Sequence, residues 1–460
     1  MSRVISSKTV HTRTLSADHL TPASVFHHLS RGEKSSFLLE SAGSDQNQGR
    51  YSFIGVRPDS HWTGSLAGLK QTFRKRSLPP GLPPFAGGAV GSFQFELIHE
   101  LEPTTQVGRK ADAGGGEIEL DFYETILSFD HTTRTLTIIS QQSGTAADHL
   151  AKLVGDIPPL SPLTLPQPGR TASRNLPACS FSRSAYLEAV EKVKQHIFAG
   201  DVFQAVISQR FEIPFSGDPF QVYRLLRMIN PSPYLFYVKQ QDRALAGSSP
   251  EMLLRVRNQE LLYRPIAGTR PRGASQKEDR KLLEELLRDP KERAEHMMLV
   301  DLGRNDLGRV CDYGSVEVVS LMEVEHFSTV MHLTSTLRGR LRPELDSLDA
   351  LGACFPAGTV SGAPKIRACQ IISSLEPCPR GVYSGAIGYL DYSGNIDLGL
   401  GIRTIVMQGS RAFAQAGAGI VADSEPIREY EECLNKVAPL LAALQGSDEG
   451  TGPGREACAP

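Results

Sequence analysis

The sequence predicts a mixed α/β protein of the α+β type. Three observations carry that expectation. Residues 1–155 are strand-rich: Ser36–Ser41 and Tyr51–Val56 read as short strands, and Glu124–Asp130 with Thr135–Ser140 read as a hairpin around the polar turn His131–Arg134. Residues 179–445 alternate helical and strand periodicity. Between them, residues 156–178 are rich in Pro, Ser and Thr and read as a linker or surface crossing.

The elements follow in order. Gly87–Gly91 precedes an apolar run, and Lys110–Gly116 reads as a mobile loop. Ser182 can cap a helix with Tyr186, Ala189, Val190, Val193 and Ile197 on one face, ended by Gly200. Val202–Ile213 reads as a strand with Phe203, Ala205, Ile207, Phe211 and Ile213 on one face and Gln204, Ser208 and Arg210 on the other. Pro426 opens a helix with Leu434, Val437 and Leu441 on one stripe and Glu425, Glu429, Glu432 and Lys436 on another. Residues 446–460 have little to bury and read as a disordered tail. No repeat of solenoid length is evident.

Composition narrows the function classes. Lys and Arg total 49 against 51 Asp and Glu, so no basic excess points to nucleic acid; Arg74–Arg76 is best read as a solvated face. No apolar run approaches the ~20 residues that span a bilayer, and no signal core opens the chain, which fits a cytoplasmic protein. The seven cysteines lack a C-x-x-C pair, which argues against a disulfide framework or zinc site and fits a reducing compartment.

Several segments could carry chemistry. Glu425, Glu429 and Glu432 share a helix face, and Glu292 and Glu295 sit three apart before His296. Spacing alone favours solvated ladders, but two carboxylate rows could also hold Mg²⁺, which takes few protein ligands. Ala416–Gly419 could offer close backbone N–H groups to an anion. Pro356–Lys365 resembles a phosphate loop, but its glycine spacing departs from the Walker pattern, and no dinucleotide fingerprint follows a strand. Pro265–Arg272 packs a turn, a hydroxyl and two guanidiniums, and Asp301–Asp306 is a dense polar run; spacing leaves mutual bonding and function as open alternatives.

Pro265–Arg272, Glu295–Asp306, Gly358–Lys365 and Gln415–Gly419, in that order, resemble the motifs of the chorismate-utilising enzymes, and most closely their anthranilate synthase component I branch. The resemblance covers roughly residues 25–445. It implies two packed, largely antiparallel sheets with helices outside. The N-terminal part would hold a regulatory pocket, and residues 179–445 the chorismate-binding catalytic site. It also implies a Mg²⁺-dependent lyase that turns chorismate and ammonia into anthranilate and pyruvate, the first committed step of tryptophan synthesis.

By motif position the metal carboxylates fall on Glu295 and Glu432, with Glu292 and Glu429 as secondary ligands or water holders. Substrate contacts fall on Gly268, Thr269, Tyr383, Arg403, Gly417, Ala418, Gly419 and Lys436, with Thr359 beside them. Glu251 matches the carboxyl that protonates the leaving hydroxyl, and His332 the histidine near the elimination. Isochorismate and salicylate makers carry a water-activating Lys where this chain has Gln204. The 4-amino branch, aminodeoxychorismate synthase component I, usually carries a nucleophilic Lys where this chain has Ala267. That branch is the enzymatic alternative; a silent tryptophan-binding regulator is the alternative from another class. Glu40, Ser41, Pro233, Tyr234 and Leu235 match segments that bind tryptophan as feedback inhibitor. The chain is too short to include a glutaminase half, so the resemblance implies a glutamine amidotransferase partner subunit in a heterotetramer of two of each, with no nucleic acid or membrane partner.

Overall fold

The computed structural model describes residues 8–42, 49–107, 117–155, 157–163, 177–326 and 330–449. The Lys110–Gly116 loop and most of the 156–178 linker therefore lie outside the described residues.

Two antiparallel sheets form the frame. The first has twelve strands. From one edge run His11–Ser16, Thr135–Ser140, Thr125–Asp130, Tyr51–Val56 and Ser36–Glu40. Tyr234–Gln240, Arg243–Ser249, Thr404–Gln408, Arg411–Ile420, Gln204–Pro214 and Gly362–Ala363 complete that path. The second, of ten, runs Ile266–Pro271, Val330–Arg340, Glu260–Tyr263, Met252–Arg257, Ile396–Leu400 and Ala386–Asp391, then Gly88–Phe93, Ile118–Tyr123 and Ser60–Gly64. Both sheets draw on both halves of the chain, so the boundary near residue 155 divides the sequence but not the space.

Three apolar layers hold this together. Phe37, Phe53, Phe236 and Val238 of the first sheet meet Val90, Tyr123, Ile387 and Tyr389 of the second. The outer face of the first sheet packs on helices through Phe26, Tyr186, Val190, Phe220 and Val437. The outer face of the second packs on helices through Leu69, Val300 and Leu351. This is the expected arrangement of two packed sheets with helices outside.

The hairpin forms with Thr125–Asp130 and Thr135–Ser140 in register around the anticipated turn. Ser182 caps its helix by accepting from the Ala185 N–H, and Gly200 follows the end at φ 82°. Three readings change. The strand around Gln204 is buried on both faces from Ala205 to Gln209, and Phe203, assigned to its apolar face, is 72% exposed just before it. A central strand has no solvent side, so its pattern does not alternate. The Pro265–Arg272 turn is a bulged strand. The last helix runs Pro426–Glu449, so residues 446–449, assigned to the tail, are helical; residues 450–460 lie outside the described set. Among the described residues no helix is long and apolar enough to cross a membrane.

Candidate functional site

The site forms where the two sheets bring their motif-bearing ends together. Gly417, Ala418 and Gly419 end the Arg411–Ile420 strand, opposite Ser208, Ile207 and Val206. Glycine is needed there for close approach. A Cβ at Gly417 would lie 2.6 Å from the Ile207 carbonyl oxygen, and one at Gly419 would lie 2.5 Å from Gln204 Nε2. The neighbouring Thr404–Gln408 strand pairs only with residues 411–414, which leaves the Gly417 edge open. Lys436 Nζ fills part of that gap, donating to the Gly417 carbonyl at 3.0 Å and pairing with Glu432 at 2.6 Å. A strand residue directs its N–H and C=O to the same side. The Gly417 amide therefore opens onto that gap as well. Arg403 turns away there at φ 51°, a strained region for a side-chain-bearing residue, and its Nη1 donates to the Lys436 carbonyl at 3.0 Å.

The second sheet supplies the acid and base. Gly268, at φ 67°, makes the bulge in Ile266–Pro271, and its carbonyl accepts from His332 Nδ1 at 3.1 Å. A carbonyl can only accept, so Nδ1 carries the ring proton and the lone pair sits on Nε2. Burial, then the Arg403 and Lys436 charges, hold the His332 pKa below its usual value, which keeps the ring neutral. Thr269 lies opposite His332 in the ladder; its side chain is outside the described set.

Glu251, 6% exposed, follows the Arg243–Ser249 strand, and its carbonyl accepts from the Leu400 N–H. Burial pushes its carboxyl up to about 8, opposed only in part by Thr359 and the Ile266 backbone. The Thr359 hydroxyl itself is buried without a hydrogen bond of standard geometry among the described residues. Glu251 is therefore a carboxylic acid at neutral pH, as a proton donor must be. Gln204 heads its strand opposite Ala363, and its buried Oε1 has no hydrogen-bond partner among the described residues.

The two carboxylate rows face one another across helices. Glu295 and Glu292 lie on Pro290–Gly308, which Asp289 caps by accepting from the Lys291 and Glu292 N–H groups. Burial raises the Glu295 pKa, with Glu292 and Glu429 adding repulsion against Lys291. Burial raises Glu429 too, and Glu432 adds to it. Glu292 is engaged by Arg270 at 2.9 Å. Among the described residues no group of three or more His, Cys, Asp or Glu closes into a metal cage. Glu295, with Lys291 at 4.0 Å, and Glu429 nonetheless present hard oxygens whose charge nearby cations offset only in part. That suits a divalent cation which keeps water and substrate among its ligands.

The five anticipated regulatory residues line one cavity of about 640 Å³ between the sheets, away from Glu251 and His332. Glu40 and Leu235 are cross-strand partners there. Their side chains point the other way: the Glu40 carboxylate takes Tyr223 at 2.5 Å and Arg227 at 2.9 Å, and Leu235 packs in the outer core. Sequence reading missed what holds Tyr234 at the cavity: its hydroxyl donates to Asp397 at 2.8 Å, and Asp397 pairs with Arg255 at 2.7 Å. It also missed the role of Asp306 and Lys365, a buried pair at 2.7 Å, and the Glu376–Arg380 pair at 2.6 Å beside Tyr383. Asp306 and Lys365 stand in noticed motifs; Glu376-Pro-Cys-Pro-Arg380 has no periodicity to flag it.

Taken together, two cations and the open Gly417 amide lie near half-buried and exposed carboxylates, in a site that also holds a protonated carboxyl and a neutral imidazole. That constellation suits a small anionic substrate losing a leaving group with acid assistance.

Known proteins resemble the chain along nearly its whole length. The chorismate binding enzyme family matches residues 25–442. Anthranilate synthase component 1 of Bacillus subtilis (strain 168) is 39% identical over 95% of this chain and 92% of its own length. That of Thermus thermophilus is 42% identical over 95% and 98%. The crystal structure of anthranilate synthase component I from Streptococcus pneumoniae TIGR4 superposes with a TM-score of 0.76 at 37% identity, covering 87% of this chain and 93% of that one. The menaquinone-specific isochorismate synthase MenF of Escherichia coli, at 20% identity and a TM-score of 0.71, shares the fold. With its motifs assembled at one site and the match running through nearly its whole length, the chain belongs to the chorismate binding enzyme family.

Proposed function

We propose that the chain is the synthase component of an anthranilate synthase, a lyase that converts chorismate and ammonia to anthranilate and pyruvate. Likeness to relatives of that name over 95% of the chain supports this reading. The single structural observation that carries it is Gln204: its buried carbonyl oxygen has no hydrogen-bond partner among the described residues, and its amide lies over Gly419. A glutamine cannot activate water as a base, but its oxygen can accept from an incoming ammonia. Ala267 offers no amine to compete.

Arg403, Lys436 and the open amide of Gly417 bind the substrate carboxylates. Glu295 and Glu432, with Glu292 and Glu429 behind them, would hold Mg²⁺. The bound ion supplies Lewis-acid neutralisation and a template for the ring. Ammonia forms the new bond at ring C2 while both ring double bonds shift and the C4–oxygen bond breaks, and the new ammonium gives up one proton. Glu251 gives that oxygen its proton, so it departs as water. Loss of the C2 proton then breaks the bond from C3 to the enolpyruvyl oxygen and leaves the aromatic ring; the enolpyruvate released takes up a proton on its methylene carbon to become pyruvate. His332, neutral with its lone pair on Nε2, is the base placed beside that elimination.

The inter-sheet cavity is the tryptophan feedback site, and a glutaminase subunit supplies ammonia in the assembled enzyme, two of each. Tyr383 and Thr359 shape the substrate's walls. The test is product identity: chorismate, Mg²⁺ and excess ammonium at mildly alkaline pH, with and without tryptophan. Anthranilate fluorescence suppressed by tryptophan is expected. A 4-amino product would assign the chain to the other branch, and no turnover with ammonium or with a glutaminase and glutamine would leave only a regulatory role.

A further inference from the structure

We propose that Arg380 is the positioning residue of the substrate site, and that its pairing with Glu376 sets the mutual placement of the segments carrying Gln204, Thr359, Tyr383 and Gly417. The inference rests on the functional reading above, which makes those segments the substrate's walls.

Arg380 is 1% exposed on its side chain, and Glu376 3%. All five guanidinium N–H groups are used. Nε donates to Glu376 Oε2 at 2.9 Å and Nη2 to Glu376 Oε1 at 2.6 Å. Nη2 also donates to the Val206 carbonyl at 2.8 Å. Nη1 donates to the Val360 carbonyl at 2.8 Å and to Ser384 Oγ at 3.2 Å. Val206 lies on the strand headed by Gln204, Val360 follows Thr359, and Ser384 follows Tyr383. The remaining segment is reached through the partner. Glu376 Oε1 accepts from the Ser208 N–H at 2.8 Å and from its hydroxyl at 2.9 Å. Gln415, just before Gly417, donates to Ser208 Oγ at 2.8 Å.

Arg380 is itself anchored. Glu96 accepts from its backbone N–H at 2.7 Å and from that of Gly381 at 2.9 Å, and its guanidinium lies 4.6 Å from the Phe95 ring centre and 5.6 Å from that of Tyr383. A buried ion pair adds little stability over apolar packing of the same volume. What a rigid five-donor fork adds is angle and distance between otherwise separate segments. Lys keeps the charge but not the fork.

The test uses the full chain as wild type, Arg380→Lys and Ser208→Ala. Folding is read by circular dichroism and melting temperature, chorismate affinity by calorimetry in Mg²⁺, and turnover with ammonium. In Arg380→Lys, Kd and KM for chorismate should rise about tenfold or more, with kcat changing less, because ground-state placement is lost. Ser208→Ala keeps the ion pair and the backbone bond from Ser208 to Glu376, but removes the hydroxyl that bridges Glu376 to Gln415; it should raise KM by a smaller factor at nearly unchanged melting temperature. A folded Arg380→Lys with lowered melting temperature but wild-type Kd and KM would overturn the proposal. If Arg380→Lys does not fold, unchanged Kd and KM in Ser208→Ala overturn it instead. A wild type that binds chorismate without making anthranilate sinks the functional reading and leaves this one to the Kd values; a wild type that does not bind chorismate sinks both.

Discussion

At Glu251 one physical quantity, burial, decides both chemistry and cost. The carboxyl is pushed up to about 8 from 4.5, because almost no water reaches the charged form. The folded state therefore keeps the proton where the unfolded chain has lost it. The stabilisation is complete below about 4.5 and is lost as pH rises to about 8, above which both states are ionised. Two outcomes follow for Glu251→Gln. Turnover should fall by roughly 10²- to 10⁴-fold, as for loss of a general acid. The melting temperature of the wild type should drop relative to the variant between pH 5 and 8 (roughly the window just set) and run parallel above it. Thermal scans across pH check the second; a constant gap would mean that Glu251 titrates normally. In the wild type, kcat/KM should decline above about pH 8 as the acid ionises. The residue's role was legible only through motif resemblance, because its environment is made by Thr359 and Ile266, remote in sequence. The carboxylate rows show the same limit: spacing put Glu292 with Glu295 and Glu429 with Glu432, but not the two helices face to face. Glu295→Gln and Glu432→Gln should each raise the Mg²⁺ concentration for half-maximal turnover by about 10-fold or more, measured by metal titration after chelation. Unchanged Mg²⁺ dependence would remove that residue from the metal site.

Elements were readable wherever local pattern and fold agree. The Thr125–Ser140 hairpin declares itself by two β-branched runs and a polar turn, and the Ser182 cap by side-chain chemistry. The glycines of 417–419 were given no element by the sequence, because their pairing with Val206–Ser208 is long-range and a glycine-rich strand end has the composition of a loop. Their surroundings now separate two substitutions that sequence would treat alike. In Gly417→Ala the new methyl meets a backbone oxygen of the paired strand at 2.6 Å, so the ladder must shift. Loss of about 1–3 kcal/mol of stability is expected, visible in denaturant titration. In Gly419→Ala the nearest atom is the end of a flexible side chain, Gln204 Nε2. The fold should survive with a near-native melting temperature, while Gln204 is displaced and kcat/KM for ammonium falls. Equal loss of stability in both would show that Gln204 has no room to yield.

For the whole molecule, the two sheets place a cavity and a catalytic site at different depths of one sandwich, which no reading of single segments could locate. The strand Ile396–Leu400 belongs to both: Asp397 holds Tyr234 at the cavity, and the Leu400 N–H holds the Glu251 carbonyl. Tyr234 also packs against Gly399, where a Cβ would lie 2.7 Å from its ring. A ligand that moves Tyr234 thus pushes directly on the strand behind the acid, a contiguous route for coupling of the usual 1–3 kcal/mol. Leu39 offers the cleanest test, because it lines the cavity, is half-buried and contributes nothing to the catalytic contacts. Tryptophan at 100 times its Kd should stabilise the wild type by about 2.7 kcal/mol, seen as a rise of several degrees in melting temperature. Leu39→Trp should fill part of the cavity with its own indole. The rise should then vanish and inhibition by tryptophan weaken at least about tenfold, with KM for chorismate unchanged in the absence of tryptophan. If the variant still melts higher with tryptophan and is still inhibited, the ligand binds elsewhere; if inhibition goes while the melting shift stays, the cavity binds tryptophan but the Ile396–Leu400 strand needs an unfilled Leu39 position to transmit it.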